Sequence, residues 1–516
     1  MTCPPDSDSE TAPGGDPGSA SQWPPQWLPQ RAPQRAPIGR RPVLGLLGAL
    51  LASSLLPAAA LPALAGSAPA TPGFDETAVG YILFDPVGGQ VVDARAADTL
   101  FIPASVAKIP TVAAALALLG PDHRFTTRLF GSAAPLDGIL RGDLILQGGG
   151  DPALATEGLA QLVDMLRAAG LRQVQGRFLY DCGLLPELGE IDAGQPWAAA
   201  YNTGIGALSL NYNRALLAWR RGADGRPVPE VLSVASAGRL PLDSVAALPM
   251  TAGGPFALLP DGADRWRVAL PGGADPRPVW VPVARPGLAT ATLFRRMAAD
   301  AGLALPPPLA GRAPGNAVPL AALDSLPLSE LARGLLRHSN NLSAEVIGLA
   351  AARRLDPATA AGSGPATLER SAALLQGWLT RQPLEGANWR RLRLANHSGL
   401  GTGSRATPRQ MAALLRAGGP ALWDLLPGEE DGKVLPPGVR AKSGTLAYVK
   451  GVAGLLTAAS GRRLGFVLFI SDPGRRAALD AALDRRVTAT PPEARAWAAG
   501  ARALQTRILE RWITTY

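Results

Sequence analysis

The chain has 516 residues, 47% of them hydrophobic and 18% charged, which suits two to four globular domains and excludes a wholly disordered chain. Its net charge of +9 fits an Arg-rich solvated exterior or attraction to an anionic surface, and points to no nucleic-acid partner. Two Cys (Cys3, Cys182) and three scattered His (His123, His338, His397) exclude a disulfide framework and offer no His pair at zinc-ligand spacing, so no metal site and no cofactor are expected.

Residues 1–38 are rich in Pro, Gly, Ser and Gln without periodicity and read as a disordered arm. Arg40-Arg41, an apolar run over 43–56 and the ending Ala63-Leu64-Ala65 follow. Positive charge, apolar core and a small-x-small end describe a secretory signal peptide cleaved near Ala65, hence export to the periplasm, with no membrane span after cleavage. The competing reading is an uncleaved membrane anchor; Pro57 and Pro62 count against it. Cys3 falls in this segment, which leaves Cys182 as a small core residue.

Residues 79–84 and 90–92, joined by a Gly-rich turn, predict a hairpin. An apolar helix over 109–119 follows and stops at Gly120-Pro121. Pro110 requires that helix to begin close to Ser105. From about 127 to 316 short alternating segments (124–129, 143–147, 177–180, 208–211, 279–283) are separated by Gly, Pro and Asp, with helices at 158–169 and 292–301. This predicts a β-rich insertion. Gly148-Gly149-Gly150-Asp151-Pro152 lacks a following Lys-Ser/Thr and reads as a tight turn, not a phosphate loop.

After Pro306-Pro307-Pro308, read as a linker, helical spacing returns over 329–353 and 366–380. A Gly-rich loop, 396–405, precedes a helix opening at Thr407-Pro408. Strands over 440–445, 448–458 and 462–470 and helices at 474–483 and 493–512 complete the chain. The domains expected are a disordered arm plus signal peptide at 1–65, one α+β domain formed by 66–126 and 317–516, and the inserted part at 127–316.

Only four Lys (Lys108, Lys433, Lys442, Lys450) occur among 50 basic residues, the rest being Arg. Arg stays charged, whereas Lys can be shifted to act as a base. Two of the four adjoin Ser: Ser105 precedes Lys108 by three positions at a helix start, and Lys442-Ser443-Gly444 opens a strand. A Lys amine one turn from a Ser hydroxyl places a base beside a nucleophile. Alone the pair is weak, since chance supplies roughly 0.2 such pairs in a chain of this composition. Ser105 also reads as a plain helix N-cap. Lys433 and Lys450 read as surface or strand-end residues.

The conjunction is stronger. Ser105/Lys108, Ser339-Asn340-Asn341 and Lys442-Ser443-Gly444 occur in the order of the Ser-x-x-Lys, Ser-Asp-Asn and Lys-Thr-Gly set. From about residue 75 onward the chain resembles the low-molecular-mass class C penicillin-binding proteins, the D-alanyl-D-alanine carboxypeptidase/endopeptidase family. The segments 142–152, 207–211 and Ser398-Gly399-Leu400 share in it, as does the 234-residue gap from Ser105 to Ser339. The resemblance implies an α+β, β-lactamase/transpeptidase-like domain, an antiparallel sheet flanked by helices, interrupted by a large β-rich insertion. It implies a serine D,D-peptidase acting on peptidoglycan peptides. Lys108 would take the Ser105 proton and Ser105 would form an acyl-enzyme, with an oxyanion hole at the N–H groups of Ser105 and Thr445. Ser339 with Lys442 would protonate the leaving amine, and Asn341 would hold the acyl amide. Lys442, Ser443 and Thr445, with Gly444 and Ser398, would line the substrate site, and β-lactams would acylate Ser105.

Three departures stand out. Asn340 replaces the usual Asp, Ser443 replaces Thr, and the 396–402 loop has Thr402 where such proteins commonly carry Arg, with Arg405 three residues on. The competing readings are a serine β-lactamase, for which no deacylating Glu is identified, and a catalytically silent cell-wall binding protein.

Overall fold

The computed structural model describes residues 78–516 apart from 225, 251–255, 270–276, 359–365, 383–386 and 488. The arm, the signal peptide and Cys3 lie outside the described residues.

An antiparallel five-stranded sheet organises the part of the chain outside the insert, in the order Val439–Leu446, Val449–Thr457, Arg463–Ser471, Val79–Phe84, Val91–Arg95. Its central strands are apolar almost throughout because both faces are covered. Ile82, Phe84, Ala453, Val467 and Phe469 face the helices Lys108–Leu119, Asn341–Leu355 and Pro408–Trp423. Tyr81, Leu83, Val452, Phe466 and Leu468 face the last helix, Pro492–Thr515. The two-residue periodicity of a strand assigns alternate residues to the two cores. Trp512 is fully buried edge-on to Tyr81, and its indole N–H donates to Asp93 at 3.0 Å.

The β-rich insertion is observed. Its strand Thr126–Gly131 pairs antiparallel with Val318–Asp324, so the inserted sheet closes beyond residue 316. That sheet also holds Leu144–Gln147, Phe178–Asp181 and Pro308–Ala310. The tri-proline segment is therefore no linker: Pro308 begins an edge strand, where a missing N–H is tolerated. A four-stranded, a three-stranded and a two-stranded sheet make up the other sheets of the insert among the described residues. The strand expected over 208–211 does not form. Asn211, Tyr212 and Asn213 all adopt positive φ, and side-chain bonds from Asn211 and Asn213 hold the turn. Gly148–Gly150 is the tight turn expected: a Cβ on Gly149 would lie 2.0 Å from the Thr126 carbonyl. Cys182 packs against the insert's core, where burial pushes its thiol up.

Two other local outcomes shape the site. The run expected as helical over 329–353 is two helices, Leu328–His338 and Asn341–Leu355, broken where Ser339 takes φ 56°. Asn340 caps the second helix by accepting from the Ser343 N–H at 2.9 Å. The helix expected from 109 starts at Lys108, preceded by a 3-10 turn over Ala104–Ala107, so Pro110 falls in its first turn.

Candidate active site

Ser105 and Lys108 belong to successive turns of one helical segment. Ala104, before the serine, is held at φ 46°, a strained value for a residue with a Cβ. Two glycines make room for that turn. A Cβ on Gly399 would sit 1.9 Å from the Ala104 carbonyl oxygen, and one on Gly444 would sit 2.7 Å from the Ser105 nitrogen. The Ser398-Gly399 loop and the Lys442 strand therefore press on the serine turn from two sides.

Lys108 is the centre of the arrangement. Its ammonium is fully buried and donates to Ser105 Oγ at 3.0 Å, Asn341 Oδ1 at 2.8 Å and the Ser398 carbonyl at 2.7 Å. Burial brings its pKa down to about 7, against the upward pull of Glu345. The break after Leu328–His338 is what turns Asn341 toward Lys108, and the Asn341 amide in turn donates to the Tyr201 carbonyl of the insert at 3.1 Å.

Lys442 is almost wholly buried on the edge strand and donates to its neighbour Ser443's carbonyl. Burial, then Lys108, Lys433 and Lys450, hold its pKa well below the usual lysine range. Gly444 and Thr445 stand opposite Gly451 and Lys450. The two-residue turn Ala447-Tyr448 closes this hairpin on the pair Leu446 and Val449. Hydrogen bonding then alternates, leaving the Thr445 N–H pointing off the free edge of the sheet. Lys450, read as a surface or strand-end residue, stands second in the strand Val449–Thr457 but is buried, with its amine donating to Thr445 Oγ1 at 3.0 Å. Burial lowers its pKa to about 8. Its cross-strand position opposite Thr445 and the scarcity of Lys were the available signals. Lys433 is half-buried beside Asp431 and Arg337.

The remaining expected residues are placed as follows. Ser339 stands at the helix break, half-buried, next to Asn341. Ser443 is half-buried on the edge strand. Ser398 is wholly buried: its hydroxyl accepts from the Leu400 N–H at 3.1 Å, and its carbonyl supports Lys108. Arg405 donates back to the carbonyls of Thr402 and Ser404, pinning its own loop. Glu345, which sequence reasoning missed, is completely buried four residues after Asn341 on the same helix.

A hydroxyl 3.0 Å from an amine that is neutral near pH 7 can lose its proton to that amine, and no cofactor enters such a step. The class is an active-serine hydrolase on a β-lactamase/transpeptidase-like fold. Residues 67–424 match the D-Ala-D-Ala carboxypeptidase 3 (S13) family, and the chain belongs to that family. The matched stretch ends before the Lys442 strand, which the fold supplies from the same sheet. The chain is 28% identical over 427 residues to a D-alanyl-D-alanine carboxypeptidase from Actinomadura sp. (strain R39), spanning 76% of this chain and 77% of that protein. Among solved structures, penicillin binding protein 4 from Haemophilus influenzae is 22% identical, with a TM-score of 0.64 over 76% of this chain and 90% of that one. The same protein complexed with a novel β-lactam is 20% identical, with a TM-score of 0.65 over 86% of this chain and 97% of that one. These two show a shared fold. No described helix is long and apolar enough to cross a membrane.

Proposed function

We propose that this family member, a serine D-Ala-D-Ala carboxypeptidase, is exported to the periplasm and cleaves peptidoglycan stem peptides through an acyl-enzyme on Ser105. The observation that carries the reading is the triple hold on Lys108 by Ser105, Asn341 and Ser398. Lys108 takes the Ser105 proton as the oxygen attacks the carbonyl of the D-Ala-D-Ala bond. The N–H groups of Ser105 and Thr445 receive the developing oxyanion. Ser339, acting with Lys442, returns a proton to the leaving amine, and Asn341 holds the acyl amide. Ser443, Gly444 and Thr445, with Lys442, receive the terminal carboxylate, and water then releases the product. The Ser398 carbonyl orients the base.

A fluorescent penicillin should label the wild type stoichiometrically and leave Ser105→Ala dark, and the wild type should release D-Ala from a stem pentapeptide. Steady penicillin turnover would favour a β-lactamase instead, and an unlabelled wild type would leave only a silent binding protein.

A further inference from the structure

Glu345 is a carboxylate sealed completely inside the protein, on the helix that also supplies Asn341. Its two oxygens accept the backbone N–H of His397 at 3.1 Å and that of Ser398 at 2.8 Å. The carbonyl of that same Ser398 accepts from Lys108. One residue thus joins the two side chains: its N–H points to Glu345 and its C=O to Lys108. A buried charge is stable only when paired and hydrogen-bonded: burial pushes the Glu345 carboxyl up, while the Ser398 hydroxyl, the two backbone N–H groups and the nearby Lys108 favour its ionised form. No Arg, Lys or protonated His is hydrogen-bonded to Glu345 among the described residues. The neighbouring His397 is itself buried, kept neutral with its pKa near 3, and bonded to Ser371 at 2.8 Å.

We propose that Glu345 is a positioning residue for acylation: it holds the 397–398 backbone so that the following Ser398 carbonyl aims Lys108 at Ser105, and supplies the counter-charge for the ammonium formed there. The proposal rests on the assignment of Ser105 as nucleophile and Lys108 as base. In the step concerned, the Ser105 O–H bond breaks and an N–H bond forms on Lys108 while the serine oxygen bonds to the acyl carbon, whose C=O π pair moves onto the carbonyl oxygen as the oxyanion. The positive charge that appears on Lys108 is then offset by the Glu345 carboxylate on the far side of residue 398, with both side chains fully buried, where such offsets are strongest. Other ionisable groups facing Lys108 and Glu345 are Lys442 on the edge strand and His397 on the loop; Ser105 and Asn341 are its neutral partners. The nearby cations cannot replace Glu345, since they disfavour a charged Lys108.

The test is stopped-flow acylation by a penicillin across pH 5–9 in Glu345→Gln, with thermal unfolding alongside. Gln offers one acceptor oxygen to two N–H donors, and its amide N–H opposes the second. Acylation should slow by roughly tenfold or more. Removing the carboxylate also removes the influence that raises Lys108's pKa, so the acid limb of the rate profile should move to lower pH. A merely structural role would lower thermal stability and leave that limb in place. If the Gln variant does not fold, Glu345→Asp, which keeps the charge and withdraws it by one methylene, should slow acylation with the limb unmoved. Acylation within about twofold of wild type in the variant that folds, with an unshifted limb for Gln, overturns the proposal. Labelling of Ser105→Ala would instead overturn the nucleophile assignment, so the two failures are distinguishable.

Discussion

At the scale of single residues, the site is a problem of keeping a lysine neutral. An exposed Lys would be protonated at neutral pH and useless as a base. Burial brings Lys108 to about 7. A lysine acts as base only when deprotonated, so the acylation rate should climb as pH rises through about 7 and fall away below it. A pH series of penicillin acylation rates checks this. Lys108→Arg keeps the charge and the donors but cannot deprotonate. It should lower the rate by about a hundredfold or more, measured by the same assay. The scarcity of lysine made these residues conspicuous in the sequence. Their protonation did not show there, because it depends on the groups brought in from three other segments.

At the scale of elements, the helix break at Ser339 and Asn340 does what a continuous helix cannot. It turns one helix end toward Lys108 and starts the next with Asn341 and Glu345 on one face. Asn340 departs from the family's Asp, yet either side chain accepts the N-terminal N–H of a helix. Asn340→Asp should leave unfolding stability within about 0.5 kcal/mol of wild type, whereas Asn340→Ala should cost about 1 kcal/mol, measured by urea unfolding. Helical periodicity over 329–353 was legible and the break was only implied, since the left-handed Ser339 has no apolar signature. The opposite error occurred at 208–211. Alternation there suggested a strand, but the Asn213 side chain accepts the Leu210 N–H, the Asn211 amide reaches away to Thr156 and Ser233, and three successive positive φ values give a turn.

At the scale of the whole molecule, remote segments are stitched together. Apolar residues of the insert, including Leu188, Ile191 and Ile205, pack on Leu342 and Val346 of the Asn341 helix and on Leu400 of the Ser398 loop. The insert thereby buttresses the elements that hold Lys108. The C-terminal helix covers the opposite sheet face. Trp512, fully buried and bonded to Asp93, ties the end of the chain to its first hairpin. Trp512→Ala should destabilise by about 3–5 kcal/mol in urea unfolding, while the fraction still folded takes up fluorescent penicillin at the wild-type rate.

The sequence by itself determined the three motifs and their order, most strands and helices, and the presence of a β-rich insert, because periodicity, caps and rare lysines are local properties of the chain. Tertiary structure decided the rest. It closed the insert's sheet with a strand beyond residue 316, buried Lys450 against Thr445, and buried Ser398 with its carbonyl on Lys108. It also set Glu345 behind Lys108. Each of these depends on which distant backbone groups a side chain meets, and a low-dielectric interior then fixes what that meeting does to its charge.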